Sequence, residues 1–320
     1  MKAQFLIFIG ILLSNPVFAD VLELDVALSN VRENCIGIAS ELNHMKTMAG
    51  INTVVTSVGT LAGGGATVVG FVKQSRDKEL EELEKEIAEL KRLQQESQEQ
   101  PTQVDISDEQ ISELARRGRL MANGPTNKNE ISDKQSEYDT KTQQSKNLGN
   151  WRTGLMAGST ATNVAGAVIA SGNKVKGDLK SQIDACRKSV EDLRASFMQA
   201  RMYGKDITIA QNIINNCKGW DTFDASKINN KASSAMWSSV VGATTGAVGT
   251  ITSAIANTDK TRNDNTDSGK SKERNLNTAS NILAIGTTVA SGTATVFNAT
   301  QISAIKKASE IADNCEGAIR

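Results

Sequence analysis

The chain has 320 residues with 36 basic and 36 acidic side chains, so its formal net charge is zero and no global attraction to nucleic acid follows. Hydrophobic residues make up 39% but aromatic ones only 4%, which excludes a core built on large rings and predicts thin, close-packed elements of Val, Ile, Leu, Ala and smaller groups. The single histidine, His44, reads as a helix-surface or satisfied core residue, and no metal site or cofactor is expected.

Residues 1–19 read as an export signal: Lys2, an apolar stretch from Phe5 to Leu13, and Val17-Phe18-Ala19 with small residues at cleavage spacing before Asp20. The mature chain is then expected to start at Asp20, bound for periplasm, cell surface or medium; the alternative is an uncleaved N-terminal anchor. No Cys occupies position 20, so lipid anchoring through the signal is not expected.

A long helix is expected over 20–97. Leu28, Val31, Cys35, Ile38, Leu42 and Met45 step by three and four. Val54, Val58, Leu61, Gly65, Val68 and Val72 repeat that spacing after a local shift of phase, and Leu80, Leu83, Ile87 and Leu90 extend it through "KELEELEKEIAELKRL". Two clean heptads are too few for a coiled coil alone, so this charged helix is expected to pair within the chain or with a second copy.

Residues 98–148 read as a polar connector. Inside it Ser107 and Gln110 match a capping box, followed by Ile111, Leu114 and Leu120 on one face of a short helix that ends before Gly124-Pro125. Arg116, Arg117 and Arg119 form a small basic cluster there, read as a solvated face. Helix 2 is expected over 149–203, with Val175, Leu179, Ile183, Cys186, Val190, Leu193 and Phe197 as its stripe and a turn near Tyr203-Gly204. A broken helix 3 is expected over 206–258, interrupted at Gly219 to Phe223 and resuming with Trp237, Val241, Thr244, Val248, Ile251 and Ile255. A polar loop over 259–274 precedes helix 4 at 275–318, whose stripe runs Ile282, Ile285, Val289, Gly292 and Val296, then Ala308, Ile311 and Cys315. Strand-forming Thr and Val in "GATTGAVGTITSAIA" raise a β-rich alternative, but strict alternation is absent.

Four stretches are uncharged and crowded with Gly, Ala, Ser and Thr: 49–72, 153–173, 232–258 and 275–305. A cysteine lies beyond one end of each: Cys35, Cys186, Cys217 and Cys315. On straight helices all four would fall about 35 to 42 Å from the stretch centres, in one layer of a bundle whose helices alternate in direction. The even count in an exported chain points to two disulfides, either Cys35 with Cys186 and Cys217 with Cys315, or Cys186 with Cys217 and Cys35 with Cys315. Catalytic thiols are the rival, but there is no Cys-x-x-Cys pair and no suitable histidine. "ENCIG", "NNCKG" and "DNCEG" around Cys35, Cys217 and Cys315 suggest an internal duplication of two helical hairpins, 22–203 and 206–320.

The expected fold is therefore all-α: an elongated antiparallel four-helix bundle of long helices with small-residue packing. Gly59 and Gly63, Gly154 and Gly158, Gly242 and Gly246, and Gly286 with Ala290 are four apart and are expected to let helix backbones approach closely. Such pairs serve membranes and soluble bundles alike. The poor insertion tendency of 153–173 and the cost of six glycines in 49–72 favour a water-soluble bundle over membrane spans.

No catalytic constellation emerges. "LAGGGATVVG" lacks the Lys-Ser/Thr pair of a phosphate loop and sits in a helical pattern, and the carboxylate pairs Glu81-Glu82 and Asp105/Asp108 lie on polar segments. Asn298-Ala299-Thr300 is a sequon in mid-helix. The reading that follows is a non-enzymatic structural or interaction protein of the cell envelope or exterior, a disulfide-clipped rod partnering itself or an envelope protein, with no nucleic acid. The alternative is a membrane-active protein that inserts glycine-zipper-like hairpins.

Overall fold

The computed structural model describes residues 16–98, 124–258 and 266–320. The Ser107 capping box, Ile111, Leu114, Leu120, the arginine cluster at 116–119 and most of the expected export signal lie outside them. Among the described residues the protein is an all-α bundle of long helices packed on one another, with no strand.

The helices are α1 (Pro16–Cys35), α2 (Ile38–Gln98), α3 (Gly124–Gly172), α4 (Gly177–Met202), α5 (Thr208–Cys217), α6 (Ala225–Ala256) and α7 (Asp267–Ile319), with a 3-10 turn at Lys218–Thr222 between α5 and α6. Several expected boundaries move. The helix expected over 20–97 breaks at Gly37, whose φ of 101° is left-handed backbone. There the buried Glu316 carboxylate, through Oε1, accepts from the N–H groups of Gly37 at 3.0 Å and Ala39 at 2.9 Å, satisfying the open start of α2 from another helix. The helix expected over 149–203 stops at Gly172 and restarts at Gly177, φ 57°. Asn229 fixes this loop, accepting from Val175 N–H at 2.8 Å and donating to Val175 O at 3.0 Å.

The polar segment 124–148 is helical throughout, with Pro125 in the first turn where its missing N–H costs nothing. Its charges meet α2: Lys134 pairs with Glu86 at 2.6 Å, Lys141 with Glu79 at 3.2 Å, and Ser145 donates to Asp77 at 2.5 Å. Likewise α7 starts at Asp267, inside the expected loop, and its first turns carry Lys270 to Glu84 and Arg274 to Glu81, both at 2.8 Å. Polarity leaves 126–148 open as a frayed helix or a loop and predicts a loop over 259–274; in the structure the described parts are helical and carry complementary charges that pair with α2. Leu83 and Ile87 of the heptad extension are buried within the chain.

The chain divides into two compact units. The first comprises the described residues of 1–60 together with 161–243 and 289–320. At its cysteine-bearing end it has a conventional apolar core, with Val31, Ile38, Leu42, Ile183, Leu193, Trp220 and Ile305 at most 2% exposed. The second comprises the described residues of 61–160 and 244–288, with a small apolar cluster of Ala66, Met156 and Ala284 in a largely polar interior.

Candidate functional site: a polar seam with an apolar exterior

Two disulfides staple the first unit. Cys35 joins Cys186 with Cα atoms 4.7 Å apart, and Cys217 joins Cys315 with Cα atoms 4.4 Å apart. Of the two pairings open to the sequence, this one keeps each bridge inside one of the two hairpins. All four residues are at most 1% exposed, and the sulfurs of Cys35, Cys186 and Cys315 lie within 4.8 Å of one another, so the bridges share a layer.

Beyond that layer the inside changes character while the spacing does not. Along α2 the buried face runs Ile38, Leu42, Met45, Ala49, then Asn52, Thr56, Gly59, Gly63, Ala66, Gly70 and Lys73, in unbroken steps of three and four. The expected phase shift at Val54 does not occur. Val54, Val58, Leu61, Val68 and Val72 face outward, Leu61 with 77% of its surface exposed. The same correction applies to α6, where Ser239, Gly242, Gly246, Gly249 and Ser253 are buried and Trp237, Val241, Val248, Ile251 and Ile255 are exposed. On α7 Ser280, Ala284, Thr287, Ser291, Ala294 and Asn298 are buried, and Ile282, Ile285, Val289 and Val296 are exposed. The register is carried through these stretches by the flanking heptads, so large apolar side chains at the wrong phase are left outside.

Side-chain hydrogen bonds hold the seam together. In the first unit Asn163 donates to Ser291 Oγ at 2.8 Å and Ser291 returns a bond to Asn163 Oδ1 at 3.0 Å. Asn52 donates to Asn298 Oδ1 at 2.9 Å, and Thr295 donates to Thr56 at 3.0 Å. Asn298 is fully buried, which removes its sequon from the surface. In the second unit Thr245 and Thr287 hydroxyls are 3.0 Å apart, Thr153 and Ser253 2.8 Å apart, and Ser280 donates to Gly249 O at 3.2 Å.

Glycine makes room for these contacts at particular positions. A Cβ on Gly59 would stand 2.6 Å from Thr162 Oγ1, on Gly63 2.8 Å from Thr288 Oγ1, on Gly242 2.8 Å from Asn163, and on Gly246 2.5 Å from Thr160 Oγ1. Gly154 and Gly158 do not pack: both face outward with nothing within 4 Å of a built Cβ. Gly286 has only ordinary contact, with Thr245 at 3.9 Å, while Ala290 is buried. The α3 pair misleads because its spacing fits packing, whereas the heptad phase of α3 selects Met156, Ser159, Asn163 and Gly166 for the inside.

In the second unit, where the uncharged stretches end, two cations are buried. Lys73, 1% exposed, pairs with Asp77 at 2.6 Å and Glu273 at 3.4 Å; Arg152, also 1% exposed, donates to Asn277 O at 3.2 Å. Asp77 receives Ser145 and Asn277 as well, so these groups form one network on α2, α3 and α7. Beside them α6 has already ended at Ala256, and a groove of about 790 Å³ opens, lined by Asp77, Glu81, Tyr138, Lys146, Lys270 and Arg274 among others. Its charges are mixed and largely paired, which suits a solvated crevice better than a site for one sign of ligand.

His44 lies exposed on α2. The "LAGGGATVVG" glycines are interior to the same helix, with no loop to cradle a phosphate. Three helical stretches, Glu23–Gln95, Ala225–Ala256 and Ser268–Ile319, are long and apolar enough to cross a membrane. Compared with protein-family models, curated proteins and solved structures, the chain finds no match.

Proposed function

We propose that this chain is a non-enzymatic structural protein of the cell envelope that inserts its uncharged helices into a lipid bilayer, leaving the disulfide core on the exported side. One observation carries the reading: in the uncharged stretches Asn, Ser, Thr and Gly face inward, and Val, Ile, Leu and Trp face outward. In water this arrangement exposes apolar surface and buries polar groups, both unfavourable. In lipid both terms change sign, because backbones close-packed through small residues and hydroxyl or amide bonds between helices are what holds transmembrane helices together.

The dimensions agree. Residues 51–72 of α2 span about 33 Å at 1.5 Å per residue, against a hydrocarbon thickness of about 30 Å. Trp151 and Trp237, both exposed, stand near opposite ends of their uncharged stretches, the positions at which tryptophan anchors to an interface. Along each chain segment the cysteine and the charged helices flank the uncharged stretch on opposite sides, so a single orientation places every disulfide in one compartment.

A second reading, the water-soluble disulfide-clipped rod that binds itself or an envelope protein, is favoured by one feature: α3 is not among the stretches apolar enough to cross a membrane. Its outward apolar faces would then be covered by protein. Alkaline extraction of membranes from cells making the full chain separates the two. Retention in the pellet, with release only by detergent, is the expected result; release by osmotic shock, salt or alkali overturns the membrane reading.

A further inference from the structure

We infer that the four cysteines, when reduced, form a tetrathiolate site for a thiophilic divalent cation of the zinc class, so that metal binding and disulfide closure compete for one layer. Sequence spacing cannot reveal such a site, because Cys35, Cys186, Cys217 and Cys315 come from α1, α4, α5 and α7 respectively. The fold brings them together. The sulfurs of Cys35, Cys186 and Cys315 are mutually within 4.8 Å, and the fourth, on Cys217, is bridged to Cys315.

A tetrahedral zinc with four sulfurs at about 2.3 Å has sulfur–sulfur edges of about 3.8 Å. Each bridge must open to that edge, and Cys35, Cys186 and Cys315, already within 4.8 Å of one another, must close to it together with Cys217, which stands outside that group. Burial of every ligand excludes competing water, as in closed structural sites. Arg187, next to Cys186, donates to the carbonyls of Trp220 at 3.2 Å and Phe223 at 2.9 Å, and the buried Trp220 N–H, three residues after Cys217, has no acceptor in the disulfide form.

The chemistry balances with one reductant class. Each bridge takes two electrons and two protons from a dithiol, which closes to its own disulfide, and yields two thiols. One divalent cation then displaces four protons from the four thiols and binds as the thiolate complex. The site is independent of what surrounds the uncharged stretches, since it lies in the conventional apolar core.

The test uses the full chain in detergent, reduced anaerobically with a dithiol that is then removed, and titrated with Co²⁺ and afterwards Zn²⁺. The expected result is the visible spectrum of tetrahedral cobalt tetrathiolate at one equivalent, its displacement by zinc, and protection of all four thiols from alkylation. The disulfide form should bind none, and Cys186→Ser should weaken binding about 100-fold. Helicity followed by circular dichroism covers a reduced chain that loosens: metal restoring the helical signal supports the site. Absence of the tetrathiolate spectrum, whether the reduced chain stays helical or not, overturns it, as does equal binding by the variant with all four cysteines changed to serine.

Discussion

The apolar core around the disulfides and the uncharged stretches that continue from it obey one geometric rule and opposite chemical ones. Both keep steps of three and four along a single buried face. In the first, that face is Val31, Ile38, Leu42, Leu193 and Ile305, and Glu316 is the one charged side chain buried beside it among the described residues. In the second, it is Asn52, Thr56, Gly59, Asn163, Gly242 and Ser291, with valine and isoleucine outside. A heptad therefore fixes which residues are inside, while the surroundings decide which residue types belong there.

The largest effect should come from breaking the conventional core. Trp220 is 1% exposed and packs edge-on against Phe223, ring centroids 5.3 Å apart. Trp220→Ala should destabilise the chain by about 3–5 kcal/mol, read as a lowered thermal midpoint of helicity in detergent. Loss of less than about 1 kcal/mol would mean that this core contributes little and that the seam supports the fold alone.

The outward face should respond to charge instead. Leu61→Asp touches no buried contact, so a bundle in water should tolerate it, whereas in the middle of a bilayer it should oppose insertion by about 2.5–3.5 kcal/mol. The expected outcome is a lower fraction of the chain resisting alkaline extraction, with unchanged melting in detergent. An unchanged membrane fraction argues for the water-soluble rod.

Glycine substitutions sharpen the contrast within the seam. Gly246→Val puts carbon against Thr160 and should cost about 1–3 kcal/mol by overpacking. Gly154→Ala meets nothing within 4 Å and should instead stabilise by up to about 1 kcal/mol through helix propensity. Equal effects at both positions in thermal melts would contradict the heptad phase of α3. Asn163→Leu, which removes the reciprocal bond with Ser291, should follow at about 0.6–1.7 kcal/mol, the range for side-chain bonds between membrane helices.

These substitutions also show what the sequence made legible. Helical class, the cysteine layer and the close approach at Gly59, Gly63, Gly242 and Gly246 could be read from 3/4 spacing and small residues alone. Taking large apolar side chains as the core misplaces the inside of the uncharged stretches, because it requires a shift of phase at Val54. Extending the phase of Ile38 and Leu42 forward, without that shift, lands on Asn52, Thr56 and Gly59, and reaches the buried Ile87 beyond. Register continuity was thus the available signal, stronger than side-chain type. The breaks at Gly37 and Gly177 were legible only as glycines; their left-handed backbone depends on Glu316 and Asn229, partners far away in sequence. For 129–148 the segment alone leaves helix and loop open, and the pairing with Glu79, Glu86 and Asp77 of α2 lies beyond what its own residues show.

That last dependence yields the smallest expected effect, a dependence on acid. Glu79 is held below the ordinary glutamate value first by the hydrogen bond from Lys141 and then by the charges of Arg76 and Lys141. Glu81 is lowered by its bond from Lys85 and by Arg274, and Glu137 by its bond from Lys141. A carboxylate whose pKa falls on folding contributes stability that is complete above its unfolded value and is lost as pH drops through the folded one. The contribution should thus be intact at neutral pH and fade below the ordinary carboxylate range. All three groups are solvent-exposed pairs, so the change should also shrink in high salt. Thermal midpoints of the wild type and of a triple Glu79→Gln, Glu81→Gln, Glu137→Gln variant should differ slightly at pH 7 and converge in acid. A difference that persists or grows in acid would show that the polar half of α3 is ordered by packing of Ile131 and Tyr138, with its ion pairs incidental.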